Sequence, residues 1–206
     1  MVTYPAALDL PHALVELVTV GTAYAYTRAV TGLLADHAPT LAEALREAAP
    51  DYVLLDGAVA ECDQLGDGTA DYSGKKKRHG VNIQAITGED GTILWFSPAL
   101  PGRTHDLTAA REHEVVSTCE ELGIAVLADK GYIGAGGSVE TPFKAAMGCE
   151  LTEKLRRFNK VHARLRAPVE RAFARLKSWR IFRHARCSPN WLSSVTAAIL
   201  TLTVHT

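Results

Sequence analysis

The stretch YVLLDGAVAE, residues 52–61, is apolar along most of its length, with Asp56 and Gly57 side by side near its centre. Such a run suits a buried strand, and a carboxylate inside a buried strand is costly unless it is paired or holds a metal. Asp-Gly is also a strong turn dipeptide, which would fold the same residues into a hairpin. A strand here makes the chain an α/β protein with a carboxylate in its sheet; a hairpin makes Asp56 a turn residue.

A second apolar run, IAVLAD (124–129), also ends on an aspartate, and KGYIG follows at once. The ends of strands in open α/β sheets commonly carry ligands, so Asp129 either holds something charged or starts a turn. Between the two runs lie a polar loop from Cys62 to Gly74, the cations Lys75, Lys76, Lys77 and Arg78, and then VNIQAIT and TILWFSPAL around GEDG, a hairpin signal. The segment PGRTHDLTAAREHEVVSTCEELG (101–123) is expected to be mostly helical, closed by Gly123. A glycine-rich loop around a short TPFKA strand is expected over 134–149, with helices from Leu151 onward and Pro168 as a boundary or kink. Residues 8–49 read as helices. The order is that of an α/β fold with carboxylates at strand ends and on a late helix.

The length of 206 residues fits one main domain. A hydrophobic fraction of 47% with 22% charged residues excludes a disordered chain. No basic start followed by an apolar block marks a secretory signal, and the apolar C-terminal run is shorter than the ~20 residues a membrane span needs. It is expected to pack as a terminal helix or strand. The four cysteines are widely spaced, which gives neither a zinc knuckle nor a disulfide framework, so a cytoplasmic location is expected. The net charge of −1 hides a strong asymmetry: residues 153–186 hold 12 Lys/Arg against 2 acidic residues. Such a segment is either a solvated basic helix or a face for a polyanion.

Glu170 lies in this basic segment, in RAPVERAFARLKSW. On a continuous helix Arg166, Glu170 and Lys177 would share one face, beside an apolar face of Val169, Phe173 and Leu176. Glu170 then borders the buried side, or simply pairs with Arg166 at the surface. Two strand aspartates and a helix-borne glutamate form a donor set suited to hard cations such as Mg²⁺, with Mn²⁺ able to substitute. Two such ions can hold the attacking and leaving oxygens of an in-line phosphoryl displacement.

Taken together, LLDG (54–57), YSGKKKRHGVNIQ (72–84), PGRTHDLTAAR (101–111), LADKGY (127–132), TPFK (141–144) and VERAFARLK (169–177) resemble the DDE transposases of bacterial insertion sequences, in the insertion-sequence-5 and Harbinger-like group. The resemblance covers about residues 51–187. It implies a ribonuclease-H-like mixed sheet flanked by helices, with Asp56, Asp129 and Glu170 as the catalytic, metal-binding triad. Lys130 and Tyr132 would shape the turn that presents Asp129. The implied chemistry is hydrolysis at a transposon end, then attack of the freed 3′-hydroxyl on target DNA, without a covalent protein intermediate. Arg166 and Lys177 match the arginine and lysine that flank the family's glutamate and are expected to meet DNA phosphates, as are Lys75 to Arg78. Asp106, in GRTHD, is expected to cap the following helix rather than touch metal.

The chain departs from that pattern in places. Ala163 stands where a tyrosine is usual, so the DNA contact of that tyrosine does not carry over, and Ala58 replaces a threonine. The expected division is a helical N-terminal remnant of a helix-turn-helix region (1–50), the ribonuclease-H-like catalytic domain (51–187) and a C-terminal packing helix (188–206). The short N-terminal region leads to the expectation that end-specific DNA binding is impaired. The active form is expected to be a homo-oligomer on transposon ends and target DNA. Two rivals are a non-catalytic regulatory remnant, separated by absence of nicking, and a ribonuclease-H-like nuclease without transposition, separated by a strand-transfer assay.

Overall fold

The computed structural model describes residues 20–62, 71–74, 77–182 and 188–204. The first decision falls to the strand: β1 runs unbroken from Tyr52 to Glu61, through Asp56 and Gly57, so the hairpin alternative is wrong. The physical reason is its neighbours. β1 is paired on both sides, antiparallel to β3 (Arg78–Thr87) from Leu54 opposite Thr87 to Glu61 opposite Gly80, and parallel to β6 (Ala125–Ala128) from Tyr52 beside Ala125 to Leu55 beside Ala128. A turn at Asp56 would forfeit both ladders.

Seven strands form one sheet among the described residues. The short β2 (Tyr72–Ser73) pairs with the start of β3, and both β4 (Ile93–Phe96) and β5 (Leu100–Pro101) pair antiparallel with β3. β7 (Val139–Glu140) pairs parallel with β6. Antiparallel pairing of β3 with β4 on one side and β1 on the other, then parallel pairing from β1 through β6 to β7, with helices on the faces, gives the mixed α/β sheet expected of a ribonuclease-H-like fold. TPFKA is not a strand; β7 precedes it, and the Asn159 side chain takes up Phe143's backbone N–H (2.9 Å) and carbonyl (3.0 Å) in place of a ladder.

Alternation along β1 and β3 assigns the two faces of the sheet. Leu54, Asp56 and Ala58 share one face with Ile83 and Ala85; Leu55 and Gly57 share the other with Gln84 and Ile86. The first face is covered by α6 (Val169–Ser178), whose Phe173 and Leu176 border Ala58 and Ile83. The second is covered by α3 (Asp106–Glu112) and α4 (Val115–Glu121). The expected single helix over 107–122 is two, because Glu114 takes a left-handed conformation (φ 53°) between them.

At the N-terminal side, α1 (Val20–Asp36) and α2 (Leu41–Ala48) are helical as expected, while LPHALVELV lies outside the described residues. A capping box starts α2: Thr40 accepts from the Glu43 amide, and Glu43 accepts from the Thr40 amide. Leu41, Ala44 and Leu45 belong to the same core as β1. The C-terminal run is a helix, α7 (Pro189–Val204), which packs on α1, with Thr201 Oγ1 donating to Leu34 O and Arg28 lying 4.2 Å over the Trp191 ring. Among the described residues no helix is long and apolar enough to cross a membrane.

Candidate active site

β6 ends at Ala128, beside Leu55, while β1 and β3 continue beyond it. Extending the parallel register by one residue sets Asp129 next to Asp56 at the step where the sheet narrows, on the same face, roughly 4.8 Å apart in backbone. Asp129 is also a turn residue. It caps a 3₁₀ turn (Lys130–Tyr132), its Oδ1 accepting from the Gly131 amide at 2.7 Å. The two roles proposed for it from sequence are compatible, because the cap uses one carboxylate oxygen.

The helix covering that face supplies Glu170. Val169 is buried against Leu54 and Leu127, which seats the first turn of α6 over the pair of strands that carry the aspartates. Glu170 follows it, exposed. α5 (Glu153–Arg166) stops at Arg166, and Pro168 separates it from α6, so Arg166 and Glu170 do not share one helical face as expected. Proline lacks the N–H that would continue the ladder. Glu170 and Lys177 do share a face of α6, two turns and about 10.5 Å apart.

Arg166 instead reaches the sheet. Its Nη2 lies 3.5 Å from Asp56 Oδ1 and donates to the Leu55 carbonyl at 3.3 Å, and its buried Nε has no hydrogen-bond partner. The surface pairing of Arg166 with Glu170 is thus replaced by a largely buried pairing with Asp56. Burial pushes the Asp56 carboxyl up to about 6; Arg166 pulls the other way, and the Asp129 and Glu170 charges push it further up.

Beneath the site, on the other face, runs a polar chain that sequence reading missed. Tyr132 Oη donates to Gln84 Oε1, Gln84 Nε2 donates to Asn82 Oδ1 (2.6 Å), and Asn82 Nδ2 donates to Asp106 Oδ1 (2.9 Å) and to the Thr104 carbonyl (3.1 Å). Asn82, Gln84 and Tyr132 are all buried. The available signal was two amides at alternate positions of VNIQAIT, a pattern that a buried strand tolerates only when both are hydrogen-bonded. Asp106 is not the cap of α3, as expected, but its first helical residue; His105 occupies the cap position without a side-chain bond. Its carboxylate turns to Asn82 because the chain needs an acceptor at that end.

This chain explains Gly57. A Cβ there would fall 2.5 Å from Asp106 Oδ1 and 2.6 Å from Gln84 Nε2, so the glycine is kept for close approach and not for a turn. Gly57→Ala is expected to cost about 1–3 kcal/mol, read as a lowered urea midpoint; an unchanged midpoint would refute the crowding.

The profile of the DDE superfamily endonucleases matches residues 55–204, a span that contains both aspartates, Glu170 and the whole polar chain. The chain belongs to the DDE superfamily endonucleases. It is also 30% identical over 141 residues to a protein of Streptomyces albus G described as the candidate transposase of insertion sequence element IS112, covering 67% of this chain. The chain spans about half, 52%, of that relative's length. No solved structure matches the chain with significance.

For a DDE endonuclease the donor set is apt: three carboxylates offer only hard oxygens, the chemistry preferred by Mg²⁺ and Mn²⁺. Among the described residues no group of three His, Cys, Asp or Glu side chains is drawn closely enough together to hold a metal ion as it stands. The cation that faces Asp56 is Arg166. Of the other expected DNA contacts, Lys177 is exposed on α6 and Lys77 is exposed with a left-handed backbone (φ 54°); Lys130, expected to shape the turn, is exposed in it. Arg78 opens β3, its side chain outside the described part, as are Lys75 and Lys76 entirely. Arg78 lies seven positions along β3 from Ala85, the residue opposite Asp56, hence roughly 23 Å from the site.

Proposed function

We propose that this DDE endonuclease is the catalytic part of an insertion-sequence transposase of the insertion-sequence-5 and Harbinger-like group, cutting transposon ends and joining them to target DNA. The observation that carries this reading is the register that sets Asp56 beside Asp129, under the helix that bears Glu170. Asp56, Asp129 and Glu170 would hold two Mg²⁺ ions, or Mn²⁺ in their place, which when bound activate the attacking oxygen and neutralise charge on the leaving one.

The chain's own residues do the rest. Neighbouring strands β1 and β6 carry the two aspartates, and α6, packed on that face through Val169, carries Glu170, which would close on a bound ion. Arg166, already directed at Asp56, serves as a phosphate contact at the reacting strand, and Lys177 as a second, two helical turns further out. Exposed Lys77, just before β3, suits a contact on the duplex about seven base pairs from the scissile phosphate, given 3.4 Å per pair; Lys75, Lys76 and Arg78 remain DNA contacts proposed from sequence. Residues 51–187 are read as the catalytic domain, 1–50 and 188–206 as helical additions to it, with a homo-oligomer on DNA as the working form in the cytoplasm.

The test is incubation of the chain with supercoiled DNA carrying its terminal repeats. Nicking that requires Mg²⁺ or Mn²⁺ and stops with chelator, followed by strand joining, is expected. Binding without nicking would favour a regulatory protein, and nicking without joining a simple nuclease. Lys177→Ala is expected to weaken binding alike on all sequences and to lower the slope of log affinity against log salt by about 0.9; an unchanged slope removes Lys177 from the interface.

A further inference from the structure

The polar chain under the sheet has a direction. Tyr132 gives its proton to Gln84, Gln84 gives one to Asn82, and Asn82 gives one to Asp106. Every donor points the same way: flipping Asn82 would oppose donor to donor at Gln84 and acceptor to acceptor at Asp106, and flipping Gln84 would oppose its oxygen to Asn82 Oδ1. In a buried strand each of those mismatches is expensive. The far end must therefore be a group that accepts, and a carboxylate is such a group. The near end is Tyr132, fully buried and three residues beyond Asp129 in the same 3₁₀ turn. Asp129 closes that turn on the Gly131 amide. Asp106 borders it too: a Cβ on Gly131 would lie 2.8 Å from Asp129 Oδ1 and 3.4 Å from Asp106 Oδ2.

We propose that Asp106 is a positioning residue, which through Asn82, Gln84 and Tyr132 holds the turn presenting Asp129 from the reverse face of the sheet. This rests on the assignment of Asp129 to the catalytic triad. The start of α3, the middle of β3 and the turn after β6 are thereby locked to one another where β6 ends, just before Asp129. Gly57 makes room for the lock, and its lack of a side chain is part of the same device. Asp106 acts through its hydrogen-bond acceptor and not through metal coordination.

The two roles separate in one set of variants. Asp106→Ala is expected to lower cleavage turnover about 10–100-fold with the KM for DNA changed less than about twofold. Asp106→Asn keeps an oxygen that accepts from Asn82 and is expected to restore most of that loss. In protein without metal or DNA, hydrogen exchange at the Gly131 amide should quicken about tenfold or more in Asp106→Ala and in Tyr132→Phe, remain near wild type in Asp106→Asn, and leave α7 amides unaffected. Tyr132→Phe carries the test if Asp106→Ala does not fold.

Two results would overturn the proposal. One is an Asp106→Asn variant as inactive as Asp129→Asn and equally weakened in Mn²⁺ binding, which would make Asp106 a ligand. The other is unchanged exchange at Gly131 when Tyr132 or Asp106 is truncated. Because the exchange measurement needs no cleavage, a wild-type protein that does not cut DNA would sink the catalytic assignment while the lock between Asp106 and the turn remained measurable.

Discussion

Asp129→Asn should abolish divalent-dependent cleavage, by a factor on the order of 10³–10⁴, while the protein folds as before. The second half of that expectation follows from the turn. Asparagine keeps the Oδ1 that accepts from the Gly131 amide, and asparagine caps a helical turn about as well as aspartate. The substitution thus preserves the local structural role and removes only the charge. DNA affinity without metal should change little, because the phosphate contacts proposed are Arg166, Lys177 and the cations of 75–78, not Asp129. Urea denaturation, filter binding and a plasmid nicking assay on the same preparation check all three. Nicking at near wild-type rate with the turn intact would reduce Asp129 to a cap and end the triad assignment.

Asp56→Asn should leave the protein inactive and yet more stable at pH 7. The Asp56 carboxyl titrates near 6 against an ordinary 3.8, and burial is the main cause. That gap corresponds to on the order of 3 kcal/mol against the ionised form. The sign follows from proton binding: the folded state holds a proton that the unfolded state releases between about pH 4 and 6. The associated stabilisation is complete below about pH 4 and lost as pH rises through about 6. Asparagine cannot ionise, so it escapes the loss, which is already net of the charge attraction of Arg166. A net gain of roughly 1–2 kcal/mol at pH 7, vanishing near pH 4, is expected in urea midpoints. Mg²⁺ should have the reverse effect, raising the melting temperature of the wild type at pH 7 and not that of the variant; at 100 times Kd the gain is about 2.7 kcal/mol. A variant less stable than wild type at pH 7 would show that Arg166, and not a bound cation, is the partner the site was built around.

Some of this was legible in the linear chain. The apolar runs at 52–61 and 124–129 announced buried strands, GEDG a hairpin, Pro168 a break, and the family blocks the order of the three acidic residues. These are local signals, carried by hydropathy, turn chemistry and spacing, and they needed no partner to be read. The helix expected over most of 101–123 is present but broken in two, since nothing in its pattern marks Glu114 as left-handed. TPFKA failed because the Asn159 side chain, distant in sequence, satisfies a backbone that looked like a strand.

What only the tertiary structure decided is which groups meet. Asp-Gly reads as a turn until two neighbouring strands hold Asp56 and Gly57 in their ladders. Arg166 reads as Glu170's helical neighbour until the break at Pro168 frees it to reach Asp56. Asp106 reads as a cap until Asn82, on the far side of β4 and β5 in sequence, claims its oxygen. The sequence by itself determined which runs are apolar and which residues carry charge, because transfer from water depends on the side chain alone. The pairing of those charges depends on strand register and on the angle between layers, and these are fixed only when the whole sheet closes.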